Sequence, residues 1–184
     1  MQAGSFPAMM KNKGQIWIET VLYTLIGLSL IGLVLAFVTP KITEAKDRLV
    51  VEQTINSLNA LDERISSVLQ APGNRRLIDF TMKRGELYFN SSSNEINFLI
   101  KDLKKPYSQP GVEIQIGRVK ILSETGQKTS SVSLKINYQN DLNFAGTDEL
   151  RKFNPAATPY KFSIENLGDI NQNGIEVINI EELS

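Results

Sequence analysis

Few side chains in this sequence are able to do chemistry. Cys and His are both absent from its 184 residues, which excludes disulfides, thiol nucleophiles, imidazole bases and the usual zinc ligands. Carboxylates, lysines and hydroxyls remain, and four placements of them stand out. Glu19 lies inside the apolar run from Ile16 to Val38, five residues after Gly14. Asp169, Asn171 and Asn173 put oxygen-bearing side chains at alternate positions ahead of Gly174. Asn90-Ser91-Ser92 fits the N-glycosylation sequon, and Asp148-Glu149 and Glu181-Glu182 are paired carboxylates.

Alternate oxygens before a Gly open an EF-hand calcium loop, so Asp169, Asn171 and Asn173 are candidate Ca2+ ligands. Such a loop needs a bidentate acid at its twelfth place, where this chain has Ile180, with Glu181 one residue later and Glu176 earlier. A hairpin turn rich in Asn and Gly accounts for the same residues and is the preferred reading. Asn90 is a candidate glycan acceptor in an expected turn, although an Asn/Ser turn explains it equally well. The paired carboxylates are sequence neighbours and read as solvated faces. No serine has a histidine to activate it, and no phosphate-binding Gly-rich loop or Ser-x-x-Lys motif occurs, so the chain is not expected to be an enzyme or to hold another cofactor. Beyond residue 70 there are 14 basic and 14 acidic residues, which leaves no basic surface for nucleic acid.

The element that must position Glu19 is a membrane span. From Ile16 to Val38 is 23 residues, and a helix of that length covers roughly 34 Å, against a hydrocarbon core of ~30 Å. The run is too long for the apolar core of a secretory signal, and Ala36-Phe37-Val38-Thr39-Pro40 offers no small-residue cleavage site. A carboxylate at the centre of such a helix costs about 2.5–3.5 kcal/mol, and less near an end, so Glu19 is read as functional. Gly27, Ser29 and Gly32 are small enough to let neighbouring helices approach. Pro40 marks the outer boundary, where a kink, or a break with a fresh helix, is expected.

Beyond Pro40 the period is still helical. Ile42, Ala45 and Leu49, then Val51, Ile55, Leu58, Leu61, Ile65, Val68 and Leu69, form one apolar stripe. Lys46, Asp47, Glu52, Gln53, Asp62, Glu63 and Arg64 fall largely on other faces. Gln70-Ala71-Pro72-Gly73 ends the helix. The stripe needs covering, and the rest of the chain supplies alternating strands: a meander through Ile78–Met82, Leu87–Phe89 and Ile96–Ile100, and then Val112–Ile121 with a bulge at Gly117. Val132–Tyr138 pairs with that strand across the turn Glu124–Gln127. After a long loop, Gln139–Pro159, come Tyr160–Ile164 and Ile175–Ile180, about seven strands in all. The fold class is therefore α+β, a long N-terminal helix packed on a C-terminal antiparallel β-sheet or sandwich.

The stretch Lys11-Asn12-Lys13-Gly14-Gln15, with Glu19 at the fifth place after the glycine, resembles the processing site of type IV prepilins. It is closest to the archaeal form, in which Lys-Gly-Gln opens the hydrophobic segment. The resemblance is specific over Lys11–Pro40 and architectural beyond. It implies a membrane-bound prepilin peptidase cutting between Gly14 and Gln15 on the cytoplasmic side, with the apolar helix kept on the mature chain. Glu19 would face the free amine of a neighbouring subunit. It also implies pilus assembly machinery and self-association, or other pilin-like subunits, as partners.

The resemblance decides orientation, since Lys11 and Lys13 at one end and Lys41, Lys46 and Arg48 at the other leave the positive-inside count even-handed. The resulting plan is a cytoplasmic leader over 1–14, a transmembrane helix over 15–39, an amphipathic helix over 40–70 and an extracellular, pilin-like β-domain over 71–184. The expected function is a structural subunit, major or minor, of an adhesive surface filament or assembly complex. The rival is an unprocessed single-pass anchor displaying an extracellular binding module.

Overall fold

A computed structural model describes the backbone of residues 12–147, 149–171 and 174–183, and their side chains apart from those of residues 12–15 and 169. Its first element is one α-helix, α1 (Asn12–Val68). Ten strands follow: β1 (Arg75–Phe80), β2 (Glu86–Asn90), β3 (Glu95–Leu103), β4 (Glu113–Ile116), β5 (Val119–Thr125), β6 (Ser130–Asn137), β7 (Asp141–Phe144), β8 (Leu150–Phe153), β9 (Tyr160–Ile170) and β10 (Glu176–Leu183). The chain divides into two compact units between Thr43 and Glu44. The first unit is helical to its end.

The helix is not broken at Pro40. Proline removes one intrahelical N–H, but the Thr39 hydroxyl donates to the Leu35 carbonyl at 2.7 Å and the Thr43 hydroxyl to the Thr39 carbonyl at 3.1 Å. These donors flank the gap, and the helix continues on both sides of it.

In the second unit α1 packs on a mostly antiparallel β-domain, as the α+β pattern requires. Val51, Leu58, Leu61, Ile65 and Val68 are each fully buried and Ile55 nearly so. At ~1.5–3 kcal/mol per buried aliphatic side chain, this face holds the helix to the sheets. The stripe starts at Val51, because Ile42, Ala45 and Leu49 are exposed. Two residues assigned by period to the outer faces, Asp47 and Asp62, are instead buried in the packed one.

The strands form two sheets, a four-stranded one in the order β1-β9-β10-β7 and a six-stranded one in the order β4-β5-β6-β3-β2-β8. Every pairing is antiparallel except β7 with β10. The helix and the smaller sheet share the inner face of the larger sheet. Over its β4–β5 end α1 places Asn59 against Gly117 and Asp62 against Arg118. Over its β2–β8 end the smaller sheet contributes an aromatic cluster, with Phe89 5.3 Å from both Phe144 and Phe162, and Phe153 5.2 Å from Phe162.

Three expectations about the strands are also corrected. β1 does not continue into a meander with β2; it pairs with β9, Ile78 opposite Phe162 and Phe80 opposite Tyr160, while Thr81–Gly85 crosses to the other sheet. Val112–Ile121 is not one bulged strand but the hairpin β4–β5. Ile116 pairs with Val119 across Gly117-Arg118, and Gly117 takes the positive φ of 63° that a two-residue turn requires. The expected loop Gln139–Pro159 carries β7 and β8, whose inward residues Leu142, Phe144 and Phe153 are buried. Four-residue strands give too few alternations to be recognised by period.

Asn166 ties the helix end to the smaller sheet. Wholly buried on β9, it donates its amide to the Val68 carbonyl at 3.3 Å, satisfying one of the acceptors that a helix leaves open at its C-terminus.

Candidate functional site

A chemically distinct surface is the apolar part of α1. From Ile16 to Val38 every large apolar side chain is exposed, Trp17, Tyr23 and Phe37 at 71% each. Among the described residues this is the one helix long and apolar enough to cross a membrane. Its polar residues are fitted to an apolar surrounding. Thr20, Thr24 and Ser29 donate their hydroxyls to the carbonyls of Ile16, Thr20 and Leu25 at 2.8–2.9 Å, so each hydroxyl proton is satisfied within the helix. Among the described residues, and apart from their own stretch of helix, nothing stands within 4 Å of where a Cβ on Gly27 or Gly32 would be, leaving room for a neighbouring helix. Glu19 is exposed within the first turn of the same surface. Gly14 and Gln15 lie within α1, and their side chains are outside the described residues.

At the candidate calcium loop, Asp169 and Asn173 have side chains outside the described residues. Asn171 is engaged in the turn. Its Oδ1 accepts the Ile175 N–H at 3.0 Å, its Nδ2 donates to Asp141 at 3.2 Å, and its carbonyl accepts the Gly174 N–H at 2.9 Å. Gly174 has a φ of 77°. That is the geometry of an Asn/Gly turn joining β9 to β10. Asp141 reaches the turn because β7 runs parallel to β10, which no local pattern announces. Among the described residues no group of three or more His, Cys, Asp or Glu is placed to hold a metal.

Asn90 ends β2, half-buried, with β3 on one side and β8 on the other. The sequon then enters a single 3-10 turn, Ser91–Ser93, in which Ser91 is buried.

Sequence reading missed two ion pairs. Asp47 receives Arg84 at 2.6 Å on one oxygen and the Lys104 N–H at 2.7 Å on the other. Asp62 receives Arg118 at 3.2 Å. Arg118 also lies over the ring of Tyr138, whose hydroxyl is buried beside Asp62. Burial, reinforced by the Asp62 carboxylate, pushes that phenol well above its ordinary pKa. On the opposite face of the larger sheet Glu86 accepts from Lys152 at 2.5 Å, Tyr88 at 2.9 Å and Lys101 at 3.1 Å. The Lys152 bond is the largest cause holding its carboxyl down to about 2. These groups neutralise one another.

Compared with known proteins, the chain matches no family model, no curated protein and no solved structure.

Proposed function

We propose that this chain is a pilin-like structural subunit, archaeal in type, whose apolar helix joins a helical bundle at the core of an adhesive surface filament or assembly complex. The observation that carries the reading is α1 itself. It passes without a break from an exposed apolar surface into a stripe buried against a β-domain, and the Lys11–Glu19 motif stands at its head. A subunit so built offers other subunits a hydrocarbon-soluble helix while displaying a folded domain outside. The reaction on the chain itself is cleavage after Gly14 by a prepilin peptidase. The protein's own role is non-catalytic and needs no cofactor or nucleic acid.

Intact-mass measurement of the protein from its native host tests this reading. A mature chain beginning at Gln15 is expected. A chain beginning at Met1, or lacking only that Met, overturns it in favour of the unprocessed, membrane-anchored binding module. Electron microscopy of native filaments carrying a tagged copy then separates major from minor subunits.

A further inference from the structure

The two sheets have four edge strands, and one of them differs from the rest. β4, β7 and β8 are four residues long, whereas β1 has six. Short edges are one of the ways in which proteins avoid unwanted strand addition, and β1 lacks that protection. Among the described residues β1 pairs with β9 alone. In an antiparallel ladder alternate residues point N–H and C=O away from the partner, so about three residues of β1 offer ladder groups outward, of which the Arg75 carbonyl already accepts the Arg76 guanidinium at 3.0 Å.

What lies beyond that edge is a trough between β1 and α1. Two cavities, of about 340 Å³ and about 320 Å³, share Ser57 as a common lining residue. One wall is α1 from Val50 to Arg64, roughly 21 Å of helix, close to the ~20 Å of a six-residue extended strand. The opposite wall is β1 with the crossing segment Thr81–Arg84. Gln53, Asn56 and Ser57 supply side-chain donors and acceptors, while Ile78 and Met82 supply apolar contact. Lys83 lines one cavity and Arg64 the other, both exposed, with Asp79 the single acid on the β1 wall. Arg84 is already neutralised by Asp47.

We propose that this trough receives an extended acidic peptide segment of a partner protein, which adds a strand to the outer edge of β1. The backbone of the segment completes the free ladder, and its carboxylates meet Lys83 and Arg64. Main-chain bonds give such strand addition its affinity, and the flanking side chains select the charge. The trough lies wholly within the unit Glu44–Ser184, so the proposal does not depend on the filament reading.

The test uses the full chain in detergent micelles and a fluorescent peptide of about eight residues alternating threonine and glutamate. Two controls carry lysine for glutamate, or N-methyl groups on alternate residues to block the ladder. Saturable binding of the acidic peptide is expected, at least about tenfold tighter than either control. Amide exchange should slow within β1, at Leu77 or Asp79 and their neighbours. Arg64→Glu with Lys83→Glu should lower affinity at least about tenfold and leave the melting temperature unchanged, because both side chains are exposed. Equal binding of the N-methylated peptide, or of unstructured polyglutamate or an acidic glycan, means charge capture alone and overturns strand addition. Slowed β1 exchange on raising protein concentration without peptide assigns the edge to a second copy and also overturns the proposal, as does absence of peptide binding at millimolar concentration.

Discussion

Arg84 and Asp47 lie 2.6 Å apart, an ion pair between the crossing segment after β1 and the packed face of α1. The same guanidinium donates to the carbonyls of Lys101 and Asp102 at 2.7 and 2.5 Å, at the point where Asp102 takes a φ of 59° and the β3–β6 register shifts. One side chain thereby fixes the helix, the crossing segment and the end of β3 together.

Removing one partner leaves the other's charge poorly solvated. Asp47→Ala is expected to destabilise the β-domain by about 1–3 kcal/mol, below the cost of breaking a fully buried pair because Arg84 is a third exposed. Urea unfolding of the full chain in micelles, followed by near-UV circular dichroism, measures the loss. Asp47→Leu combined with Arg84→Met should recover part of it, whereas a double variant no better than Asp47→Ala would show that the pair is not coupled.

Glu86 makes stability depend on pH in acid. Its folded carboxyl, held down to about 2, lies below the ordinary value of 4.5. A depressed carboxyl contributes stability that is fully present above the unfolded value and is lost as pH falls from about 4.5 to about 2. Glu86→Gln should therefore flatten the dependence of melting temperature on pH in that window and lower the melting temperature above pH 5. Identical pH profiles for the two proteins would reject the assignment.

Gly85 has a φ of 96°, and a Cβ there would stand 2.9 Å from the Leu99 carbonyl oxygen and in collision with the Phe98 ring. Gly85→Ala combines a strained backbone with a clash against backbone that cannot yield cheaply, for an expected loss of about 2 kcal/mol or more. Gly73→Ala is the control. It shares the positive φ of 79° but has nothing within 4 Å, so strain alone should cost it less in a thermal melt.

Glu19 is predicted to set the register of assembly. A carboxylate in lipid carries a solvation cost that a cation on a neighbouring subunit offsets only at one axial offset. Glu19→Ala should insert into membranes normally and be depleted from sheared surface material. A bulky substitution at Gly14 should instead accumulate uncleaved chain in the membrane fraction. Normal recovery of Glu19→Ala protein in the sheared fraction would reject the pairing role.

Local features of this protein were legible because their causes are local. The apolar run Ile16–Val38 is long enough for a membrane by count alone. The 3.6-residue period of Val51 to Val68 marks the buried helix face, and the alternation in β2, β3, β5 and β6, with turns between neighbours, fixes those hairpins. Alternation names the face a residue occupies and not the strand beside it, so the pairings of β1 with β9 and of β7 with β10 emerged only in the folded chain. The trough between β1 and α1 is a consequence of those pairings. Asp47 and Asp62 show the same limit most sharply. Their own helix marks them as outward-facing charges, while the arginines that make their burial tolerable lie 37 and 56 residues away. Whether a carboxylate faces solvent or core depends on a partner that only tertiary structure brings within reach.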